Sequence, residues 1–231
     1  MAMKKIKEIQ CQWYNIITDI GKRMNTKETR EYVNNQLCAK LKAYVDDLYG
    51  IIIYGDYYSV DDAEKFALLR KISILFNELL GDKDNELSFN ELLSSTVVDK
   101  EQFEAKSSTF SMIRHLLVHF PIFETWDSIF ITKNLLNWNN GNRKGAIERY
   151  FSKYSGKTLK FSIYTRVDYH FDKTRDFDIP VPQIHNSKQC YIKDFLSLDD
   201  ALWLFSLVGY FLEWKSWKID PNEKYLGMIS A

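Results

Sequence analysis

Apolar residues recur at helical spacing through the first quarter of the chain. One stripe with intervals of three and four covers residues 6–24, and a second covers residues 33–48. Gly50 is expected to end the second helix by taking a left-handed conformation. Residues 51–54 are compatible with either a short strand or an extended connection. Two long helices joined by a short link favour an antiparallel hairpin.

Capping pairs mark the starts of the later helices. In each pair, a short polar residue is followed three positions later by an acidic or amide residue. The pairs are Asp61 with Glu64, Ser88 with Glu91, Asp99 with Gln102, and Ser197 with Asp200. The helix after Asp61 is expected to run to Gly81. Residues 125–138 and 145–154 are predicted as further helices. The second of these is expected to place its apolar residues on one side, namely Ile147, Tyr150, Phe151 and Tyr154. The last helix, residues 198–217, is apolar on nearly all sides, which favours the centre of the bundle or an oligomer interface.

The hydrophobic pattern changes to a period of two between residues 159 and 171. Alternation of this kind predicts a half-buried strand, and its length implies a bend or break near Thr165. A turn is expected at residues 173–176, followed by a second strand at residues 177–181. That strand should lie at an edge, because the two prolines near its end cannot donate ladder hydrogen bonds.

The predicted fold class is mainly α, a helical bundle forming a single domain over residues 1–231, with a β-rich hairpin inserted at about residues 157–185. The 231 residues are 45% hydrophobic, which is enough for a sizeable core. The 31 basic and 31 acidic residues cancel, so no global field attracts nucleic acid or membranes. Three scattered cysteines, no secretory leader and no apolar run of ~20 residues favour a cytoplasmic protein without a membrane partner.

The most distinctive chemistry lies on the helix that approaches Pro121. One side of this helix is an apolar core stripe that contains Ile113, Leu116 and Leu117. The other side is mixed polar and apolar and carries Arg114, His115, His119, Met112 and Val118. Proline lacks an N–H and disfavours helical geometry at Phe120, so the helix is expected to end or kink there. His119 should then lie in the last turn, partly open to solvent. A mixed side of this kind suits a cleft or a dimer seam.

The segment from Arg114 to His119 has the spacing R-x4-H, with the polar His115 directly after the arginine. It resembles the motif of the HEPN superfamily, helical proteins of which many are metal-independent endoribonucleases of toxin, antiphage or RNA-processing systems. The resemblance implies a HEPN-like bundle, catalysis without a cofactor, an RNA substrate, a homodimer and an antitoxin-like protein partner. It also implies that His119 is the acid or base, Arg114 the phosphate clamp and His115 an orienting or supporting residue.

These residue types suit RNA cleavage through the ribose 2′-hydroxyl. That reaction needs a proton acceptor, a proton donor to the leaving oxygen, and positive charge on the transition state. Positions five apart on a helix differ by about 140° in projection, which disfavours both groups of one protomer reaching the same phosphate. The resemblance implies a composite cleft instead, because members of the family commonly place two motifs at a dimer seam. Further RNA contacts are expected from Arg143 and Lys144 in an Asn-rich loop, and from Lys160 or Arg166 on the exposed strand face.

Other interpretations of the same residues stay open. In the first, the protein is a non-catalytic helical interaction or ligand-binding module, and Arg114 and His119 are structural. Arg114 would then pair with a carboxylate such as Glu104 or Asp127. In the second, His115 and His119 bind zinc, since they are four apart on one helix side. The catalytic zinc helix, however, needs glutamate directly after the first histidine, where this chain has leucine. No phosphate-loop, dinucleotide-binding or serine-hydrolase motif occurs in the sequence.

Overall fold

The computed structural model describes residues 27–54, 60–81, 100–136, 145–167, 170–184 and 188–216. The chain divides into two compact units, Met1–Lys40 and Leu41–Ala231. In the first unit, the described residues 27–40 are helical. The predicted helix at residues 6–24 and the short helix begun by Ser88 lie outside the described residues.

The described residues form six α-helices, four short or paired β-strands and two single 3-10 turns. The helices are α1 (Lys27–Tyr54), α2 (Asp62–Gly81), α3 (Lys100–His119), α4 (Lys133–Leu136), α5 (Ala146–Tyr154) and α6 (Leu198–Ser216). The strands are β1 (Phe130–Ile131), β2 (Thr158–Val167), β3 (His170–Pro180) and β4 (Cys190–Tyr191), and the 3-10 turns are Trp126–Ser128 and Ile192–Asp194. The prediction of a mainly helical chain with a β-hairpin before the last helix is therefore confirmed.

The core of the second unit lies where α2, α3 and α6 meet. Each helix contributes one phenylalanine that is at most 1% exposed, namely Phe76, Phe110 and Phe205. The ring of Phe110 stacks on that of Phe205 at 4.3 Å and meets the ring of Phe76 edge-on at 5.0 Å. Leu204 and Val208 of α6 are fully buried. The middle of α6 is thus in the centre of the bundle, one of the two positions that its all-round apolar pattern predicted.

Two of the predicted capping residues satisfy backbone N–H groups at helix starts. Asp61 Oδ1 accepts a hydrogen bond from the Glu64 N–H at 2.8 Å, and Ser197 Oγ accepts one from the Asp200 N–H at 3.0 Å. These N–H groups have no partner within their own helix. The caps therefore fix where α2 and α6 begin, as predicted. Asp99, predicted to cap α3, lies outside the described residues.

The predicted end of the second helix at Gly50 is wrong. α1 continues through Gly50 and the following isoleucines to Tyr54. Ile51 and Ile52 are both half-buried. Isoleucine has only a slightly lower helix propensity than leucine, and packing overrides such small local preferences.

The predicted helix at residues 125–138 is also wrong. This segment forms a 3-10 turn, the strand β1 and the short α4 instead. β1 pairs antiparallel with β4, and the N–H of Ile192 donates to the carbonyl of Ile129 at 3.0 Å. The buried indole N–H of Trp126 donates to the carbonyl of Leu196 at 2.9 Å. These hydrogen bonds to a distant segment hold the backbone away from helical geometry.

The hairpin is confirmed, but its predicted turn is misplaced. Residues 173–176, predicted as the turn, lie within β3, and Val167 pairs with His170 at the last register position before the turn. The register shifts between Ile163 and Tyr164, close to the predicted irregularity at Thr165. Alternation continues on both sides of the turn, so the pattern could not show where the chain reverses.

Lys106 of α3 is a buried charged side chain against the hairpin. It is 4% exposed, and its ammonium group donates to the backbone carbonyl of Ser162 in β2 at 2.6 Å. Removal from water disfavours the charged form and lowers the pKa of Lys106 from 10.5 to about 8. The contact between α3 and β2 is therefore sensitive to pH.

We expect the free energy of unfolding to rise between pH 8 and pH 10.5, because folded Lys106 loses its proton near pH 8 and unfolded lysine keeps it until about 10.5. The unfolded state then binds more protons, and the difference amounts to at most roughly 3 kcal/mol. Urea unfolding of the wild type and of Lys106→Met at several pH values measures the contribution of Lys106 to the free energy of unfolding. The methionine variant should lack most of the rise. An equal rise in both proteins would contradict the assignment.

Candidate functional site

Arg114, His115 and His119 form one contiguous cluster at the end of α3. Arg114 Nη2 lies 3.3 Å from Nε2 of His115. The imidazole rings of His115 and His119 are stacked, with centroids 4.9 Å apart and planes 25° from parallel. His115 therefore connects the arginine to the second histidine, although Arg114 and His119 are five positions apart.

The exposure of the residues along α3 shows which part of the cluster is buried and which part reaches solvent. Ile113, Leu116 and Leu117 of the predicted core stripe are each 1% exposed. Met112, expected on the mixed side, is also fully buried, so the core stripe is wider than predicted. Arg114 and His115 are half-buried and His119 is exposed. The cluster thus runs from the rim of the core to solvent.

α3 ends at His119, before Pro121, as predicted. The following turn is held by Arg70 of α2, whose Nη2 donates to the carbonyls of Pro121 at 3.3 Å and Phe123 at 2.5 Å. Ile122 between them is 77% exposed. This clamp fixes the direction in which the chain leaves α3, and with it the last helical turn that carries His119.

His115 is held in its neutral form. Burial, followed by the charges of Arg114, His119 and Arg149, lowers the pKa of His115 from 6.5 to about 4. Because its Nε2 faces the guanidinium donor of Arg114, the ring proton belongs on Nδ1. Burial also lowers the pKa of Arg114, but an arginine stays charged in proteins. Near neutral pH, the cluster therefore contains a charged arginine bonded to a neutral histidine.

We expect the His115 imidazole to stay neutral until the pH falls to about 4. A titration of the ring nitrogens by NMR measures this directly, with His115→Gln to assign the signals. The unfolded chain binds more protons between about pH 4 and 6.5, so His115 should make folding less favourable as the pH falls through that range. A midpoint near 6.5 for His115 would contradict the described environment.

Arg149 of α5 belongs to the same electrostatic environment, and the sequence analysis did not identify it. The contacts that align α3 with α5 are the ion pair of Glu104 with Lys153 and the hydrogen bond of Thr109 Oγ1 with the Tyr150 hydroxyl at 3.3 Å. They pair the start of α3 with the end of α5, so the helices run antiparallel. The charge of Arg149, nearer the start of α5, is the last of the causes that lower the pKa of His115, after burial and the charges of Arg114 and His119.

The amphipathic pattern of α5 was sufficient to predict that the side chain of Arg149 is exposed. The predicted apolar side of this helix is buried and comprises Ile147, Tyr150, Phe151 and Tyr154. Arg149 is exposed. What the pattern could not supply is the pairing of α5 with α3, which depends on contacts between distant segments.

Of the four predicted auxiliary RNA contacts, only the side chain of Lys160 is among those described. Arg143 and Lys144 lie outside the described residues. Arg166 lies in β2, where its backbone pairs with Phe171, and its side chain is not among those described. Lys160 is exposed on the same strand. The roles of these four residues stay predictions.

The carboxylates considered as partners of Arg114 bind other cations. Glu104 forms an ion pair with Lys153, and Asp127 forms one with Lys193 at 3.7 Å. Burial lowers the pKa of Arg114, which is the opposite of the shift that a paired carboxylate would cause. Among the described residues, the guanidinium of Arg114 is therefore in contact with the imidazole of His115 and not with either of these carboxylates.

Two further properties of the described part of the chain concern metal binding and the membrane. No group of three or more histidine, cysteine, aspartate or glutamate side chains is placed to hold a metal ion within that part. No helix in the described ranges is both long and apolar enough to cross a membrane.

Comparison of the chain with protein-family models, with curated proteins and with solved structures finds no match. The similarity to the HEPN superfamily therefore rests on the motif and its helical setting, and it stays a prediction.

Proposed function

We propose that this protein is a metal-independent endoribonuclease of HEPN type, in which Arg114 and His119 act on an RNA phosphodiester. The observation that carries the proposal is the continuous contact from Arg114 through His115 to His119 at the exposed end of α3. An arginine and an exposed histidine, linked by a second histidine, can supply the charge stabilisation and proton transfer that this reaction needs.

Arg114 is suited to bind the phosphate. Its guanidinium is half-buried, so water screens its charge less than that of a surface arginine. Its Nε is buried and meets no hydrogen-bond acceptor among the described residues. The planar guanidinium matches the geometry of two phosphate oxygens, a match that lysine lacks.

The two histidines have different roles in this proposal. His119 is exposed in the last turn of α3, where an RNA can reach its ring. His115 is neutral near pH 7 and is already engaged by Arg114 and by the ring of His119. It positions the guanidinium and the second imidazole, and it is a poor proton donor at this pH. His119 is therefore the residue that transfers the proton.

The same assignment supports a homodimer. Cleavage requires one group that accepts a proton and another that donates one. With His115 held neutral, each cluster supplies His119 for one of these steps, and a second copy of the chain supplies the other. The proposed site is therefore a composite cleft between two α3 ends. Sedimentation of the wild type tests the dimer, and a monomer that cleaves RNA would contradict this part of the proposal.

The assay for the function uses purified protein with EDTA and a mixture of structured and unstructured RNAs. The proposal predicts cleavage products that end in 2′,3′-cyclic phosphate, because the ribose 2′-oxygen is the attacking group. Arg114→Ala and His119→Ala should both lose the activity. Lys157→Ala, which removes an exposed cation in the turn after α5, should keep it. Activity that is kept in this variant and lost in the two site variants, all prepared identically, would exclude a contaminating nuclease.

One observation favours a second candidate, a non-catalytic ligand-binding module. Arg114 bonds to its own neighbour in the sequence and is half-buried, as a structural arginine is. In that case the cluster would bind an anionic ligand without breaking a bond. RNA that stays intact while a phosphate compound binds the cluster would favour this function over the nuclease.

A further inference from the structure

The two-stranded sheet of β1 and β4 carries aromatic rings where the outer face of a sheet usually carries polar side chains. Phe130 and Tyr191 are paired across the two strands, so their side chains lie on the same face. Phe130 is half-buried and Tyr191 is 36% exposed. Ile131, next to Phe130 on β1, lies on the opposite face and is fully buried. The sheet therefore packs one face on the core and presents an aromatic face, formed by Phe130 and Tyr191, toward solvent.

This aromatic face is connected to the end of α3 by a series of ring contacts. The ring centroid of Phe130 lies 5.9 Å from that of Tyr191 and 5.8 Å from that of Phe123. The ring of Phe123 lies 6.4 Å from that of Phe120, and its N–H donates to the Phe120 carbonyl at 3.4 Å. Phe120 directly follows His119. Neighbouring rings thus lead from the histidine proposed to transfer the proton to the exposed ring of Tyr191.

A lysine lies beside the exposed end of this series. Nζ of Lys193 is 6.0 Å from the centroid of the Tyr191 ring, and the lysine side chain is 46% exposed. Lys193 also forms an ion pair with the exposed carboxylate of Asp127 at 3.7 Å. Exposed pairs of this kind contribute little to stability. Lys193 can therefore exchange this carboxylate for a phosphate at small cost.

Aromatic rings beside a cation are the components of binding surfaces for single-stranded nucleic acid. An unpaired base stacks on the ring, and the cation binds the backbone phosphate next to that base. The bases of a duplex are stacked on one another, so their faces are not available to a protein ring. Much of the affinity of such a surface comes from stacking, which suits a chain whose 31 basic and 31 acidic residues cancel.

We propose that Phe130, Tyr191 and Lys193 bind single-stranded RNA beside the bond that is cleaved, with one base stacked on the Tyr191 ring. The identity of the ligand rests on the proposed function, whereas the aromatic face is a feature of the fold itself. The inference specifies the substrate class, namely RNA that is unpaired where it leaves His119. Tyr191 and Lys193 are then substrate-binding residues that the R-x4-H spacing does not include.

Fluorescence anisotropy with a labelled 2′-O-methyl RNA tests the stacked base. This RNA cannot be cleaved through its 2′-oxygen, and it is supplied either as a single strand or annealed to its complement. The wild type should bind the single strand more tightly than the duplex. Tyr191→Ala should weaken single-strand binding by about tenfold, the loss of one stacked base. Tyr191→Phe keeps the ring and should keep most of the affinity, and equal Tm values for both variants exclude a loss of structure.

The salt dependence of binding tests the role of Lys193. Lys193→Gln should lower the slope of log K against log salt by roughly 0.7, the loss of one phosphate contact on a single strand. Lys157→Gln removes an equal charge from the exposed turn after α5 and should leave the slope unchanged. Asp127→Asn should tighten binding, because it releases Lys193 and removes a repelling charge. Equal slopes for the wild type and Lys193→Gln would overturn the phosphate contact.

The fate of this surface and the fate of the nuclease are separable. Single-strand binding that depends on Tyr191, without cleavage of ordinary RNA, would refute the nuclease and keep the surface. RNA cleavage with unchanged KM in Tyr191→Ala would refute the surface and keep the nuclease. A wild type that binds neither RNA, or binds single strand and duplex equally, would overturn the proposal. Conversion of a wild-type dimer to a monomer by Tyr191→Ala would also overturn it and assign the aromatic face to a second copy of the chain.

Discussion

Replacing His119 by alanine is expected to lower kcat for RNA cleavage by at least about 100-fold, the usual contribution of a general acid or base. The ring is exposed and lies in the last turn of α3, so its removal should leave the core unchanged. KM should change much less, because the phosphate is bound by arginine. Single-turnover and steady-state rates on one defined RNA measure the two parameters separately.

The Arg114 variants complete this comparison. Arg114→Ala is expected to lower kcat/KM by about 100-fold or more through loss of transition-state charge stabilisation. Arg114→Lys should recover little of it, since lysine lacks the planar pair of donors. Circular dichroism and Tm values must match the wild type for the comparison to hold. A folded His119→Ala protein with wild-type activity would remove His119 from the reaction.

Replacing Phe110 by alanine is expected to destabilise the protein by about 3–5 kcal/mol, the usual range for a buried phenylalanine. Its ring is 1% exposed and touches Phe205 of α6 and Phe76 of α2. The variant would therefore leave a cavity at the point where three helices meet. Urea unfolding followed by circular dichroism measures the change in the free energy of unfolding.

Ile122→Ala is the matched control for the core variant. Ile122 is also a large apolar residue, but it is 77% exposed in the turn after α3. Its replacement should change the free energy of unfolding by at most about 0.5 kcal/mol. A loss below about 1 kcal/mol for Phe110→Ala would contradict the description of this cluster as the centre of the core.

The sequence predicted those elements whose signals are local. The caps at Asp61 and Ser197 act over three residues, and the stop before Pro121 is a property of proline itself. The apolar side of α5 was also predicted from spacing alone. Each of these features depends on neighbours within one helical turn, so the pattern contains the necessary information.

The wrong predictions concern segments whose backbone conformation depends on contacts with distant parts of the chain. β1 exists because it pairs with β4, and the indole of Trp126 bonds to Leu196, far along the chain. Residues 125–138 carry no local signal of either contact. The position of the hairpin turn was predicted wrongly because apolar and polar residues alternate in the same way along β2 and β3. That alternation does not mark where one strand ends and the next begins.

The candidate site was predicted in part. Arg114, His115 and His119 were recognised from their spacing, and the structure brings them together through His115. The angle of about 140° between Arg114 and His119 around the helix suggested that they lie apart. The structure links them nevertheless, because Arg114 contacts the ring of His115 and that ring stacks on His119. Arg149 was missed because the packing of α5 on α3 is set by tertiary contacts.

The most direct test of the nuclease is the analysis of RNA ends after incubation with the wild type and with His119→Ala, prepared identically and with EDTA present. The proposal predicts 2′,3′-cyclic phosphate ends with the wild type and intact RNA with the variant. Equal cleavage by both proteins, or intact RNA with both across the structured and unstructured substrates, would contradict the assignment of His119 as the proton-transferring residue of an endoribonuclease.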